Sequence, residues 1–336
     1  MSAETRTHPG KRRAGASGIP ETMRAAAIDR FGEPEVLTVH ELPVPSLGSG
    51  EVLIALDTAG VGSWDAEMRA GWYPVVPPPF PLVPGTDGSG RVTAMGAHVH
   101  RFRKGDAVYS YSFANPKGGL YAEYVVVAEG KVAHIPKGLT LQEAGAIPTT
   151  GLTALQGIDD ALEVKAGETV VIVGASGGVG TLAVQFAKLR EARLMGVASG
   201  EDGVALVRSL GADEAVDGRH GDVSEALRKF APDGVDAVLG LAGGDTLDRA
   251  VKSLKDGGRV AFPNGVEPRP KKRHGIEVIA YDAEPGISEF NNLSVAVEAA
   301  KLKVPIVATF PLSDASLAHK RIAQGHVLGK IVLDIA

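Results

Sequence analysis

Thr169-Val170-Val171-Ile172-Val173-Gly174-Ala175-Ser176-Gly177-Gly178-Val179-Gly180 carries a continuous apolar run into a glycine-rich turn. Five consecutive β-favouring residues stopped by glycine predict a strand buried on both faces. The spacing of Val179, Leu182, Ala183 and Phe186 predicts a helix with one apolar stripe. A further strand is predicted over residues 193–197, so strand, turn, helix and strand follow in the order a dinucleotide-binding turn requires. Gly177 would let the backbone approach a pyrophosphate, and Gly180 would let the helix pack closely on the strand. The helix N-terminus adds unpaired N–H groups and a partial positive charge. Ala175 stands where the first glycine of such a turn is usual.

Beyond the turn, strand patterns at 214–216, 236–239, 259–262 and 277–280 alternate with amphipathic segments such as Leu247, Ala250, Val251 and Leu254. That alternation predicts an α/β, doubly wound parallel sheet over residues 150–284. Upstream the texture differs, with short strands at 24–29, 36–42, 52–57, 90–95, 107–109 and 121–127 separated by Gly and Pro. Six prolines between Pro74 and Pro84 predict a loop bordering a cleft. Helices around 293–302 and 315–324 and a strand at 330–333 do not extend the alternation. Residues 24–149 and 285–336 are therefore assigned to one β-rich substrate domain, with the parallel unit inserted into it, and residues 1–23 to a disordered tail.

Composition narrows the function. The chain has 336 residues, 22% of them charged, and a formal net charge of -5, which offers no general attraction to nucleic acid. The basic stretch 269–274 reads as a solvated loop. No apolar run approaches the ~20 residues of a membrane span, and no secretory signal is evident, so a cytoplasmic protein is expected. Cysteine is absent, which removes thiolate catalysis and cysteine-held zinc. His98 and His100 read as a solvated pair, and no metal is expected. The second strand of the parallel unit ends at Ser199-Gly200, with Glu201 and Asp202 only afterwards. A carboxylate at that tip would repel a 2′-phosphate, so small neutral residues there favour NADP.

Several motifs together carry a resemblance: Gly32-Glu33-Pro34-Glu35-Val36-Leu37, Pro84-Gly85-Thr86-Asp87-Gly88-Ser89-Gly90, Gly119-Leu120-Tyr121-Ala122-Glu123-Tyr124, Gly151-Leu152-Thr153-Ala154, the glycine turn, and Gly325-His326-Val327-Leu328-Gly329-Lys330. From Met23 onward the chain resembles the medium-chain dehydrogenase/reductase superfamily and, within it, the zinc-independent quinone oxidoreductase branch. The resemblance implies a GroES-like substrate domain around a Rossmann domain. Zinc-dependent members carry Gly-His-Glu where this chain has Gly85-Thr86-Asp87. The resemblance further implies that Ser176, Gly177, Gly178 and Val179 hold the pyrophosphate. It implies that Thr153, Leu241, Ala242, Asn264 and Lys330 surround the nicotinamide. Three positions depart from the pattern: Gly62 replaces the usual Asn, and Gly203 and Gly218 replace the Lys and Tyr that embrace a 2′-phosphate. Arg219 is then the nearest cationic candidate beside Ser199 and Gly200, and weaker NADP binding or use of both NADP and NAD is the alternative.

Hydride transfer to a quinone or an α,β-unsaturated carbonyl without metal needs alignment and a donor near the carbonyl oxygen. Tyr73 stands where related enoyl reductases carry a tyrosine and is the candidate donor, a loop-lining role being the alternative. Trp64, Asp65 and Tyr111 are candidate lining residues of a pocket for a flat acceptor. Asp65 suits a structural hydrogen-bonding role better than proton transfer. Two other functions stay open, an enoyl-thioester reductase and a low-turnover NADPH-binding protein. A short-chain dehydrogenase is excluded because no Tyr is followed by Lys four residues on. The family's habit of pairing two Rossmann sheets implies a homodimer through residues 277–280.

Overall fold

A computed structural model describes residues 18–73, 76–77 and 79–336. Most of the expected tail and part of the proline stretch lie outside the described residues. The first part of the chain forms β1 (Thr22–Ala27), β2 (Thr38–Pro43), β3 (Glu51–Val61), α1 (Ser63–Ala70), β4 (Asp87–Met95), β5 (Ala107–Tyr111), β6 (Tyr124–Ala128), β7 (Val132–His134), α2 (Leu141–Ala146) and α3 (Pro148–Gln156). The alternating part follows as β8 (Thr169–Val173), α4 (Gly180–Leu189), β9 (Arg193–Ala198), α5 (Gly200–Ser209), β10 (Glu214–Asp217), α6 (Val223–Phe230), β11 (Val235–Gly240), α7 (Asp245–Lys252), β12 (Leu254–Pro263) and β13 (Glu277–Tyr281). The chain closes with α8 (Ile287–Ala300), β14 (Ile306–Pro311), α9 (Ala315–Ala323) and β15 (Lys330–Asp334).

β8 through β13 build one parallel six-stranded sheet in the order β10-β9-β8-β11-β12-β13. Strand addition reverses between β8 and β11, so the crevice at their carboxyl ends is the expected ligand position of a doubly wound sheet. Alternation along β8 explains why all five of its residues are buried. Val170 and Ile172 enter one apolar cluster with Leu152 of α3, Phe186 of α4 and Phe290 of α8. Val171 and Val173 enter another with Leu227 of α6 and Leu247 of α7. Each such side chain contributes about 1.5–3 kcal/mol by leaving water. Leu254, expected on a helix, instead opens β12, because α7 stops at Lys252.

The other strands form a mainly antiparallel sheet, β14-β15-β3-β4-β5-β7 with β6 also on β3, and a β1–β2 ribbon. β15 returns antiparallel to β3, pairing Ile331 with Val61 and Val332 with Gly60. The turn before β15 is tied to the glycine-rich turn by the Gly329 N–H donating to the Ser176 carbonyl at 3.0 Å. Thus Lys330, distant in sequence, starts beside the carboxyl end of β8. α8 buries Phe290, Leu293 and Val297 in the cluster it shares with α3 and α4. Among the described residues no helix is long and apolar enough to cross a membrane.

Candidate active site

The glycines of the turn divide their tasks in space. Gly174 has φ +84°, a left-handed conformation that L side chains rarely adopt. A Cβ on Gly180 would stand 2.2 Å from the Gly174 carbonyl oxygen, so α4 can begin there only as glycine. A Cβ on Gly178 would stand 2.9 Å from Lys330 Cδ. At Gly177 a Cβ would meet only the Gly174 carbonyl oxygen at 3.5 Å. Space above Gly177 is thus open, as close approach by a pyrophosphate requires. With α4 starting immediately after it, the turn fits a dinucleotide cofactor.

Beside the turn lies a buried charged group. Lys330 Nζ stands 4.0 Å from Asp87 Oδ2 and 5.6 Å from the centre of the Trp64 ring. Asp87 Oδ1 accepts from the Thr149 N–H at 2.8 Å and from the Thr149 hydroxyl, while Asp87 Oδ2 has no hydrogen-bond donor among the described residues. Asp65 is also buried and accepts from the Gly62 N–H at 2.9 Å, Thr86 Oγ1 at 2.9 Å and Tyr121 OH at 3.2 Å. Its carboxylate therefore fastens α1 to the segment before β4. Thr86-Asp87 spends its side chains on Asp65, Thr149 and Lys330. Gly62 gains a physical reason: a Cβ there would stand 2.3 Å from Trp64 Cε2, so the indole occupies the space a side chain at 62 would need.

Burial moves these groups. It pushes the Asp65 carboxyl up to about 7, against the Gly62 hydrogen bond and with the Asp87 charge adding to the rise. Burial likewise raises Asp87 to about 6, against the pull of Lys330 and Thr149. Lys330 is lowered by burial, opposed by the two carboxylates. Between the unfolded carboxyl value near ~3.9 and these raised values, the folded protein holds protons that the unfolded chain releases. Stability is therefore expected to fall as pH rises from about 5 through about 7. Asp217, held at about 2 chiefly by the Arg219 N–H, opposes the trend only near pH 4, where the unfolded aspartate still binds part of a proton, and is ionised in both states above about pH 5. Urea unfolding at about pH 5 and about pH 8 should show the loss in the native chain and a smaller one in Asp65→Asn. Equal slopes in the two proteins would refute the assignment to Asp65.

The remaining candidates spread along the cleft. Leu241 and Ala242 follow β11, with the Leu241 N–H donating to Val173 O at 2.9 Å, and both lie against Gly174. Asn264 follows β12 and donates from Nδ2 to Asp282 Oδ2 at 2.9 Å. Thr153 on α3 donates to the Thr149 carbonyl at 2.8 Å, and its own carbonyl accepts from Tyr281 OH at 2.9 Å. Tyr111, buried, reaches the Ala283 carbonyl at 3.4 Å and so ties β5 to the segment after β13. Tyr73 is half-buried against the antiparallel core, and burial with the nearby Asp65 charge pushes its phenol up to about 12. At the far end, Ser199, Gly200 and Arg219 meet at the tips of β9 and β10. The Arg219 side chain is exposed, while its N–H and that of Gly200 donate to Asp217 Oδ1 at 2.9 and 3.0 Å.

Asp87 with Thr149, Asp217, and His326 were not singled out from sequence as site residues. Asp87 and His326 stand in quoted motifs, which is the signal that could have found them. The basic stretch has structural partners: Lys271 pairs with Asp248 at 2.6 Å, and Arg273 donates to the Leu254 carbonyl at 2.7 Å.

A parallel sheet with a glycine turn at its switch point, set against an antiparallel domain that returns a buried lysine to that turn, defines a medium-chain dehydrogenase/reductase. Residues 48–137 match the alcohol dehydrogenase GroES-like domain, and residues 210–333 match the family described as zinc-binding dehydrogenase. The mouse quinone oxidoreductase is 30% identical over 326 residues, covering 93% of this chain and 97% of that protein. A solved NAD-dependent alcohol dehydrogenase shares 33% identity with TM-score 0.85, over 94% of this chain and 100% of that one. A mycobacterial protein solved in complex with NADPH shares 26% identity with TM-score 0.81, over 93% and 100%. The chain belongs to the quinone oxidoreductase-like branch of the medium-chain dehydrogenase/reductase superfamily. It is an oxidoreductase that binds a nicotinamide cofactor.

Proposed function

We propose that this protein is a cytoplasmic, zinc-independent enzyme that passes hydride from NADPH to a quinone or an α,β-unsaturated carbonyl. The observation that carries the reading is the open face of Gly177 beside the Lys330–Trp64 contact, with Tyr73 half-buried near Asp65. Zinc independence is supported by the donor set: the chain has no cysteine, and Asp65 and Asp87 are committed to protein partners. NADP is favoured because Asp202 and Asp217, acids at the tips of β9 and β10, have protein partners: Asp202 is engaged by the Gly203 N–H and by His326, and Asp217 by the N–H groups of Gly200 and Arg219. Reduced nicotinamide supplies the hydride. Trp64 and Tyr111 offer flat surfaces that keep water from an aromatic acceptor.

Tyr73 is the donor for enones in this reading. A phenol at about 12 stays protonated at neutral pH and can donate where negative charge develops on a carbonyl oxygen. Quinones, already electron-poor, need less of this help. Tyr73→Phe is expected to lower kcat for short enones by roughly 10²-fold and to leave quinone turnover within about three-fold, as for loss of one general acid. Equal losses on both classes would make Tyr73 a lining residue. Pairing of two copies along β13, the outer strand of the parallel sheet, completes the proposed assembly.

A further inference from the structure

At the tip of β9 the two domains meet through one imidazole. His326, in the loop before β15, lies with Nδ1 3.2 Å from Ser199 Oγ and Nε2 3.0 Å from Asp202 Oδ2. The ring is close enough to the Gly200 backbone that a Cβ there would stand 3.2 Å from His326 Cε1. Its backbone is held in the left-handed region, φ +48°, where a non-glycine residue is uncommon. Arg321 of α9 fixes that loop, donating to the Gly325 carbonyl at 2.9 Å and the His326 carbonyl at 3.1 Å. The wiring is the reverse of a hydrolytic triad, in which the serine faces Nε2 and the acid Nδ1.

This position is the one at which a doubly wound sheet reads the adenosine ribose. A side chain from the other domain is thus placed over the strand tip where Gly203 and Gly218 offer no cation. We propose that His326 recognises the 2′-phosphate of NADP, with Ser199 as its hydrogen-bonding neighbour and Asp202 as the residue that orients the ring. The proposal rests on the reading of the cofactor as NADP. When protonated, the imidazole donates from both nitrogens, Nε2 to Asp202 and Nδ1 towards Ser199 and a phosphate oxygen. Asp202 is the acid that would otherwise be free for the ribose hydroxyls of NAD. His326 turns it to another use.

Equilibrium titration of the full-length protein with NADPH and with NADH, followed by nicotinamide fluorescence, tests this without turnover, because the two ligands differ only in the 2′-phosphate. His326→Ala is expected to weaken NADPH by about ten-fold or more, the worth of a charge-assisted hydrogen bond, and to leave NADH within about two-fold. His326→Asn, which tolerates the left-handed backbone, should behave alike and guards against a folding defect in the alanine variant. Asp202→Asn, which weakens the hold on the protonated ring, should weaken NADPH by less than His326→Ala does and leave NADH unaffected. Parallel loss of both ligands in His326→Ala and His326→Asn, no loss of either, or weakened NADH in Asp202→Asn would overturn the assignment. Equal affinity of the native protein for NADPH and NADH would instead remove the NADP reading and the proposal with it. A native preference for NADPH that survives both His326 substitutions would leave that reading standing and sink only the role of His326.

Discussion

Gly177→Ala is expected to weaken NADPH binding by roughly ten- to a hundred-fold, the effect of about 1–3 kcal/mol of overpacking, while the fold keeps its stability within about 0.5 kcal/mol. The separation follows from where the new methyl would sit. At Gly177 it meets only a carbonyl oxygen at 3.5 Å, an ordinary contact, and otherwise points into the space left for the pyrophosphate. Gly180→Ala is the contrasting case. Its methyl would fall 2.2 Å from the Gly174 carbonyl oxygen and 2.7 Å from Ala175 backbone atoms, and no flexible side chain can yield. That variant should lose both cofactor and stability, with unfolding easier by about 1–3 kcal/mol or more. Thermal unfolding without ligand, set beside fluorescence titration with NADPH, distinguishes the two. Undiminished binding by Gly177→Ala would mean that no pyrophosphate passes over this turn.

Lys330→Met is expected to cost about 3–5 kcal/mol of stability at pH 8, because it leaves the Asp87 carboxylate buried without its cation. The methionine retains much of the lysine stem that packs on Gly178, so lost packing is the smaller part. The pH dependence carries a sign. Asp87 already titrates near 6 and would rise further without Lys330, so below that range it takes a proton and the unpaired charge disappears. The cost should therefore shrink towards pH 5. Adding Asp87→Asn to Lys330→Met should recover a large share, since an asparagine oxygen can still accept from Thr149. Urea unfolding of the two single variants and the double variant gives the coupling directly. Additive losses would show that the two side chains, though close, do not depend on each other.

The sequence made the parallel sheet readable because its strands are local and each has an apolar stretch bounded by glycine or polar residues. β8 occupies the residues expected, and β9 extends one residue further than expected. Elsewhere local patterning failed for physical reasons. β14 presents alternate residues to solvent, is preceded by Pro305 and ends on Pro311, so it lacks the density of a core strand. β3 runs on through Ala59 and Gly60, poor strand formers in isolation, because Gly60 lies against the Gly145 carbonyl and Asp87, where no side chain fits. The capping box of Thr140 and Glu143, which starts α2, is a local signal that the spacing of apolar residues does not carry. In the site, the glycine turn was legible as a local motif. Ser199 with His326 was not, since 127 residues separate the partners. Gly62 read as the loss of a family side chain, and only the position of the Trp64 indole shows what took its place.

Oxidation of NADPH by the purified protein, followed by absorbance against a panel of quinones and short enones with and without a metal chelator, tests the proposed activity most directly. Turnover of at least one acceptor class, undiminished by the chelator, is the expected result. No turnover of any acceptor by protein shown to bind NADPH would contradict the activity and leave a nicotinamide-binding protein, and turnover abolished by the chelator would contradict the zinc-independent chemistry.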